Sequence, residues 1–576
     1  MSPAKKKFIG AVAQRGHLLL LIAVFFYVSL FRITNNDIWW HLKTGEWILE
    51  HRTVPHHDPF SLIASGRDWI DHEWLFQTLA AILHTAWGTT ALVLLRGVVA
   101  VAIAGILYTL VVTRRVPPLL ATALLIFAGI TLRERMFVRP EMFSLLFMAL
   151  LLCILESSRN GNRWSSLWAL VLGFFWGNTH AACLMGLMVG GAYLVGEFLD
   201  NRQEKEEERP KRARLNLLFI SLVAFLAGTL INPYTVRLYA IPFELYGIVG
   251  QPWAQNLEWQ RPPVLYFGWY YLLLALTLGV IVLRVLRGNR PSLCRILPVL
   301  GLAVASLLHL RNIGFFAVCA PLVFLGVSAG VFPTRSKAKE GWRSGLLLLG
   351  ALGAMILAVN TDSLRSTGFG INTSVYPVKE VDFIERQRLQ GPLFNEVGHG
   401  GYVIYRLFPQ YRPFIDGRNE LYPDLLEEIH EALADTTEFK ALLDRYGLNF
   451  ALVRYQPELT GVEYTKDGKL IRAQRAFSAV YFHRSRWALV YWDDGAMVLV
   501  RRTPETEVFI EKNEFISVHP EDWRYVRDRI GQGDIDRRQV IREIDRKLEE
   551  NPECRRAQFL KRVFSKNMDV TKNGLK

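Results

Sequence analysis

The stretch "NNDIWWHLKTGEWILEHRTVPHHDPFS", residues 35–61, follows directly on an apolar run from His17 to Phe31. Within a few residues of that run the chain presents Asp37, two adjacent tryptophans and His41. The order reads as a chain that leaves a bilayer and at once builds a polar site at its surface. Which surface that is depends on the rest of the sequence.

The 576 residues are 51% hydrophobic, with 16 Trp and 34 Phe. A soluble domain can reach that fraction, so its distribution decides the class. Apolar runs recur from Leu18 to about Asn360, and beyond Thr361 the chain reads as an ordinary soluble protein. A bilayer core takes about 20 apolar residues per helix. The expected spans are 14–31, 90–113, 117–132, 141–156, 164–180, 181–199, 215–231, 266–286, 293–309, 312–331 and 344–360. The fold expected is therefore a polytopic α-helical membrane protein of about eleven transmembrane helices, followed by a soluble α/β domain and terminal helices. Its divisions are a transmembrane region 1–360 with an outer loop 32–89, an exported domain 361–510, a helical segment 511–566 and a disordered tail 567–576.

The net charge of +14 reads as topology, not as nucleic-acid binding. Lys5, Lys6, Lys7 and Arg15 precede the first span, and Arg114 and Arg115 end the second. Arg159 and Arg163, the mixed-charge loop Arg202–Arg214, Arg284–Arg295 and Arg335–Arg343 mark further turns. With a cytoplasmic N-terminus and eleven spans, all of these clusters are cytoplasmic, as the positive-inside rule requires. Residues 32–89 and 361–576 are then outside, so the C-terminal domain is expected to be exported. No small-residue cleavage site follows the first span, so it reads as a retained helix. Of the five cysteines only Cys554 falls in the exported part, so no internal disulfide is expected there.

The same topology puts a set of polar residues on the outer face. Asp37, His41, Asp71, His72 and Glu73 lie in the first loop. "RERMFVRPE" adds Arg135, Arg139 and Glu141; "WGNTH" adds Asn178 and His180; "NLEWQRPP" adds Glu258; "HLRN" adds Arg311 and Asn312. Polar groups at membrane depth are costly and face a cavity or one another. Singly, each fits a short polar turn; together they point to one polar chamber. The segment 74–88 reads as an interfacial amphipathic helix, and Trp39, Trp40, Trp47, Trp69 and Trp74 as an interfacial aromatic belt.

An early span, an acid directly after it in "NNDIWWH", interfacial helices, about ten further spans and an exported domain resemble the GT-C glycosyltransferase superfamily. "RMFVRPEMFSLLFMALLL", "WGNTHAACLMG", "INPYTVRLY" and "HLRNIGFFAVCAPL" are also similar to a broad group of bacterial membrane proteins assigned to that superfamily by analogy. The resemblance implies a polyprenyl-phosphate-linked sugar donor, a membrane lipid environment and a glycan, lipid or protein acceptor. GT-C enzymes often carry an acidic pair in this loop. Here Asn36 precedes Asp37, so a second acid has to come from elsewhere, Asp71 or Glu73 being the nearest.

Transfer from such a donor needs a carboxylate to take the acceptor proton, and Asp37 is the candidate. It needs cations for the departing phosphate, and Arg135, Arg139 and Arg311 supply guanidiniums that match phosphate oxygens bidentately. Direct displacement would invert the anomeric centre. His56, His57 and Asp58 are candidate ligands for a divalent metal, but adjacent residues rarely orient into one ligand set and a turn is the plainer reading. No metal ligand is assigned. The competing functions are a transporter or flippase-like subunit for lipid-linked glycans and an assembly scaffold; a transporter would show internal repeats, and none is evident.

In the C-terminal part, "VKEVDFIERQRL" has helical spacing, "PLFNEVG" and "RPFIDGR" read as strands, and "HGGYVIYRLFP" as a turn and helix. Further helices are expected near 422–433 and 437–446, then a strand "NFALVRY" and a hairpin around Asp493-Asp494-Gly495. Asp416, Arg418 and Glu420 form either a loop salt bridge or part of an acceptor site. "NEVGHGGY" lacks the spacing of a nucleotide fingerprint.

Overall fold

The computed structural model describes residues 3–112, 116, 118–203, 208–251, 256–288, 292–325, 337–362, 365–466 and 469–565. Arg114, Arg115, Arg290, Arg335 and the tail from Asn567 lie outside them, as do the side chains of Lys5, Lys6, Lys7 and Arg15. The chain divides into two compact units. The first comprises Met1–His56 and Ile70–Ile371; the second comprises His57–Trp69 and Asn372–Lys576.

Unit 1 is helical. Its helices are α1 (Pro3–Ser29), α2 (Asp37–His51), α3 (Trp74–Val112), α4 (Pro118–Arg133), α5 (Glu141–Arg159), α6 (Ser165–Gly177) and α7 (Cys183–Gln203). They continue as α8 (Glu208–Leu230), α9 (Ile241–Val249), α10 (Gly268–Leu286), α11 (Leu293–Leu308), α12 (Ile313–Cys319) and α13 (Lys337–Thr361). Among the described residues, five stretches are long and apolar enough to cross a membrane: Trp74–Val112, Glu141–Arg159, Cys183–Arg202, Lys211–Leu230 and Gly268–Leu286. Shorter apolar helices occupy Gly16–Ser29, Pro118–Arg133, Ser165–Gly177, Leu293–Leu308, Leu310–Phe324 and Gly345–Thr361. Helix α3 is broken at Gly88, whose φ of 64° and ψ of −159° suit glycine. Residues 74–87 thereby form a helix distinct from the apolar span that follows.

The helices pack by small residues and by charge. On α6, Gly173 and Gly177 stand one turn apart against α8; a Cβ on either would fall 2.2 Å from Phe225 O or 2.6 Å from Thr229 O. Only glycine allows the two backbones that close, which is the small-xxx-small device of membrane helix pairs. Arg96 lies within an apolar span yet is buried. Its Nε donates to Ser29 O at 2.7 Å, its Nη2 donates to Phe31 O, and Arg133 Nη1 donates to Val28 O. Two guanidiniums thus cap the open carbonyls at the end of α1, where the helix dipole favours cations. They also flank the Phe31 ring, with Cζ atoms 3.6 and 4.9 Å from its centroid.

Alternate turns contact one another. The α4–α5 turn meets the loop containing Glu258. The residues just before α3 meet the α6–α7 turn. The remaining ends share a second ionic group: Arg159 with Glu197 at 2.6 Å, Arg295 with Glu156 at 2.7 Å, and Tyr193 OH donating to Glu156. Chain reversals therefore gather at two poles, each with its own polar network.

Trp39, Trp40 and Trp69 are 3–6% exposed. They fill protein interior and are not part of an aromatic belt; their rings are too large to leave outside when an adjacent core can take them.

Unit 2 contains α14 (Val378–Gln387), β1 (Leu393–Asn395), α15 (Val397–Leu407), α16 (Pro423–Ala432), α17 (Thr436–Arg445) and β2 (Phe450–Arg454). After these come β3 (Leu459–Lys466), β4 (Lys469–Ala476), α18 (Phe477–Tyr481), β5 (Trp487–Trp492) and β6 (Ala496–Arg501). Helices α19 (Glu507–Asn513), α20 (Trp523–Gly531), α21 (Arg537–Glu550) and α22 (Arg555–Ser565) close it. The sheet runs β1-β2-β6-β5, with β1 parallel to β2 and the others antiparallel; β3 and β4 form a separate hairpin. "RPFIDGR" is not a strand. Asn395 replaces the ladder there: its Oδ1 accepts from Phe414 N and its Nδ2 donates to Ile415 O.

Asp416 and Arg418 lie in the interior of this unit with Asp58, Phe60 and Trp69 of the segment 57–69, and half-buried Glu420 accepts from Trp69 Nε1 at 3.3 Å. Arg418 donates to Asp416 and to Asp58, both at 2.7 Å, and Arg418, Asp416 and Asp58 are fully buried. Trp69 stacks on the same guanidinium, with Cζ 4.8 Å from its ring. Tyr422 OH donates to Asp416 at 2.6 Å. Asp58 also accepts from Phe60 N and Ser61 N. A carboxylate so engaged is not a metal ligand, and His57 and His56 turn elsewhere, to Asp68 and Tyr234. Cys554 is buried as well.

Removing one partner of a buried ion pair strands the other. Asp58→Ala should therefore cost unit 2 about 3–5 kcal/mol and free the 57–69 segment. Limited trypsin digestion at exposed Arg67 reads this out; wild-type resistance in the variant would contradict the clamp.

Glu380, beneath the sheet, accepts from Ala496 N at 2.8 Å. Burial, with Asp493 adding to it, pushes its carboxyl up to about 8. The folded state therefore holds a proton that the unfolded chain has lost above its ordinary value near 4.5. Stability from this group is full at low pH and is lost as pH rises toward 8. Glu380→Gln should flatten that fall in melting temperature between pH 5 and 8; an unchanged slope would remove Glu380 as its cause.

Candidate functional site

The polar residues of the alternate turns fall into two adjoining clusters and a surrounding frame. Asp37 opens α2 in its first turn, where an acid suits the helix dipole. Arg135 and Arg139 come from the α4–α5 turn, and Glu141 opens α5. Glu258 sits in a one-turn 3-10 helix, Leu257–Trp259, whose backbone at Glu258 is capped by Asn256 Oδ1.

These five groups form one network. Arg139 Nη2 reaches Glu258 at 2.7 Å and also donates to Glu141, while its Nη1 is 3.9 Å from Asp37. Arg135 makes a two-pronged contact with Glu141, at 2.9 and 2.6 Å, and reaches Glu258 at 3.2 Å. Arg135 and Glu141 are 3% and 8% exposed, whereas Asp37 and Glu258, at 36% and 34%, are the more open members. Burial pushes the Glu258 carboxyl up, but Arg135, Arg139 and Arg311 outweigh it and hold it well below the usual carboxylate range. Burial likewise disfavours charge on Arg139, and Glu258, Glu141 and Asp37 more than restore it.

Arg311 belongs to a short turn, Leu310–Asn312, joined to the Glu258 loop by Leu310 N donating to Gln260 O at 2.8 Å. Its guanidinium lies over Trp259, 4.2 Å from the ring centroid. Among the described residues no carboxylate forms a salt bridge with it. The N–H edges of Arg135 and Arg139 are turned to Glu141 and Glu258, so Arg311 is the better placed of the three to meet an incoming phosphate.

The second cluster centres on Glu73, with His41, His72 and His180 around it at 3.7–3.8 Å. The His72 and His180 rings are nearly parallel, with centroids 6.2 Å apart. Burial lowers His72 to about 4, with Arg311 adding to it, and holds His180 well below its usual range, helped by His72, Arg311 and Arg139. Both imidazoles are neutral at physiological pH.

The other expected residues act as frame. Asp71 accepts from Gln77 Nε2 at 2.6 Å, and its backbone N–H donates to Tyr234 OH. Asn178 receives Trp74 Nε1 at 3.0 Å and donates to Ile231 O. Asn312 donates to Ala305 O, near the end of α11. Ser144, one turn after Glu141, was legible only as a polar residue at helical spacing in an apolar run; it contacts His180 Nδ1 at 2.9 Å and accepts from Trp176 Nε1.

Two further groups, Glu197/Asp200/Cys294 and Asp493/Asp494/Cys554, have spacing that could hold a metal ion. Their carboxylates are already employed. Asp200 takes Leu293 N, Cys294 N and Ser292 Oγ, Glu197 pairs with Arg159, and Asp493 pairs with Lys547. The trio Asp37, Glu141 and Glu258 does not fit a divalent cation either, because Arg139 stands among them.

No protein-family model matches the chain, and no curated protein matches it in sequence. Among solved structures, the crystal structure of the Archaeoglobus fulgidus oligosaccharyltransferase in the apo form is similar. The likeness covers 97% of this chain and 87% of that one, with a TM-score of 0.55 at 10% sequence identity. At that identity the likeness is one of fold: this chain is folded as that oligosaccharyltransferase is.

Proposed function

We propose that the protein is an inverting glycosyltransferase of GT-C type. It spans a bacterial cytoplasmic membrane eleven times and works on the outer face. It moves a sugar from a polyprenyl-phosphate donor to a glycan, lipid or protein acceptor. The observation that carries this reading is the network of Asp37, Arg139, Glu141, Glu258 and Arg135, built where alternate chain reversals meet. The overall likeness to an oligosaccharyltransferase supports it.

In this reading Asp37 takes the acceptor hydroxyl proton as the oxygen attacks the anomeric carbon. It opens α2 at the edge of the network, 36% exposed, and its 3.9 Å separation from Arg139 is longer than the contacts Arg139 makes with Glu258 and Glu141. Arg311 meets the donor phosphate and stabilises the charge that grows as the sugar leaves. Arg139 and Arg135 hold Glu141 and Glu258 in place and keep the cluster near neutrality, so that an anionic head can approach.

The two roles separate kinetically. Asp37→Asn should lower turnover about 10²–10⁴-fold, the usual worth of a general base, and spare donor binding. Arg311→Lys should weaken donor binding, because an ammonium cannot reproduce a two-pronged phosphate contact. Sugar transfer and lipid-donor binding in nanodiscs measure both. Wild-type transfer by a well-folded Asp37→Asn protein would remove the base and move the transporter and scaffold readings ahead.

Topology is tested separately. Cys554 is buried and a poor reporter, whereas Val508 is 80% exposed. With the other cysteines replaced, Val508→Cys should react with a membrane-impermeant maleimide in spheroplasts, and a cysteine at Arg212 should not. The reverse pattern would invert the assigned sidedness.

A further inference from the structure

Helices α7 and α8 run antiparallel and are joined at two levels. Partway along α7, a Cβ on Gly190 would fall 2.6 Å from Leu222 Cδ1, so the missing side chain lets the helices meet. Toward the far end, Lys211 Nζ donates to Asn201 O at 3.0 Å. Between these ties lies about 16 Å of helix, and there the pair parts. The gap is a cavity of about 320 Å³ lined by Leu194, Val195, Phe198, Leu215, Asn216 and Phe219. Both helices are long and apolar enough to cross a membrane, and Val195, Phe198 and Phe219 are 53%, 41% and 57% exposed along the slot. Such walls suit a hydrocarbon chain.

Two polar side chains border the slot, and neither makes a hydrogen bond or ion pair among the described residues. Arg202 lays its guanidinium back over the Phe198 ring, with Cζ 4.5 Å from the centroid. The acids before it on α7 face elsewhere: Glu197 pairs with Arg159, and Asp200 accepts from Leu293 N and Cys294 N. Asn216 stands in the slot wall. An amide at membrane depth is costly unless something answers it. In the register set by Gly190–Leu222 and Asn201–Lys211, Asn216 is level with Gly196, about 3 Å along the helix from Phe198. The guanidinium and the amide therefore stand at neighbouring heights.

A cation at the mouth, a hydrogen-bond donor beside it and an apolar slot leading away match the phosphodiester, ester carbonyl and acyl chain of one kind of molecule. We propose that α7 and α8 hold a membrane phospholipid, with its phosphate on Arg202, an ester carbonyl accepting from Asn216 Nδ2 and an acyl chain between Leu194 and Phe219. A guanidinium matches phosphate oxygens in charge and in shape. The lipid fills the gap between the two helices at the pole that carries the Arg159–Glu197 pair. The site is separate from the Asp37 network and stands whether or not the chain transfers sugars.

The test uses the full-length protein in detergent, delipidated and then titrated with phosphatidylglycerol, phosphatidylcholine and a polyprenyl phosphate, with bound lipid counted by native mass spectrometry. Each phospholipid should bind at this site once per chain and raise the melting temperature. Arg202→Gln should weaken that binding about 10–100-fold, the usual worth of a hydrogen bond to a charged group, and Asn216→Leu should weaken it less. Leu194→Trp fills the slot and keeps both polar groups; it should abolish the melting-temperature shift in a protein with a wild-type elution profile. Leu349, 67% exposed on α13, controls for lipid that merely coats the surface, and Leu349→Trp should behave as the wild type does. Undiminished binding by Arg202→Gln, a shift that survives Leu194→Trp, an equal loss in Leu349→Trp, or binding of the polyprenyl phosphate alone would each overturn the proposal.

Discussion

Arg139 is the constraint on which one pole of unit 1 depends. One guanidinium meets carboxylates from three separate parts of the chain: the start of α2, the start of α5 and the Glu258 loop. Three acids this close would repel one another and could not all stay ionised without it. Arg135 repeats two of those contacts from deeper in the protein. The result is a cluster that is charged at every member yet near neutral in sum. That combination can persist where few water molecules reach and still leave Asp37 open.

The remainder of the fold serves to bring those pieces together. Arg96 and Arg133 close the end of α1 and flank Phe31, which fixes where the chain departs toward Asp37. Gly173 and Gly177 let α6 lie directly on α8, and the turn after α6 carries Asn178 and His180. The opposite pole has its own ion pairs, Arg159–Glu197 and Arg295–Glu156, which tie helix ends. Residues 57–69, between α2 and the Glu73 cluster, belong to unit 2, where Asp58 joins the buried Arg418–Asp416 pair.

Much of this could be read directly from residue order. Apolar length marked every helix from α3 to α8, and polar residues in alternate turns pointed to residues that the fold brings together. Hydropathy could not reveal that Trp39, Trp40 and Trp69 are interior, because an aromatic at a membrane surface and one in a protein core have the same local sequence. Spacing could not tell that "RPFIDGR" is irregular, because a single amide, Asn395, supplies the bonds that a neighbouring strand would have supplied. The hairpin of β3 and β4 was not anticipated, its polar alternation being weak against charged surroundings.

By itself the sequence determined the helical elements, their apolar character and the kinds of side chain collected in the turns, since these follow from local hydropathy, charge and the cost of polar groups at membrane depth. Tertiary structure alone decided how those side chains are paired. Whether an arginine is a phosphate ligand or the partner of two glutamates depends on which distant turn faces it, and nothing local encodes that choice. Arg139 and Arg311 look alike in the chain; packing surrounds the first with carboxylates and lays the second over Trp259.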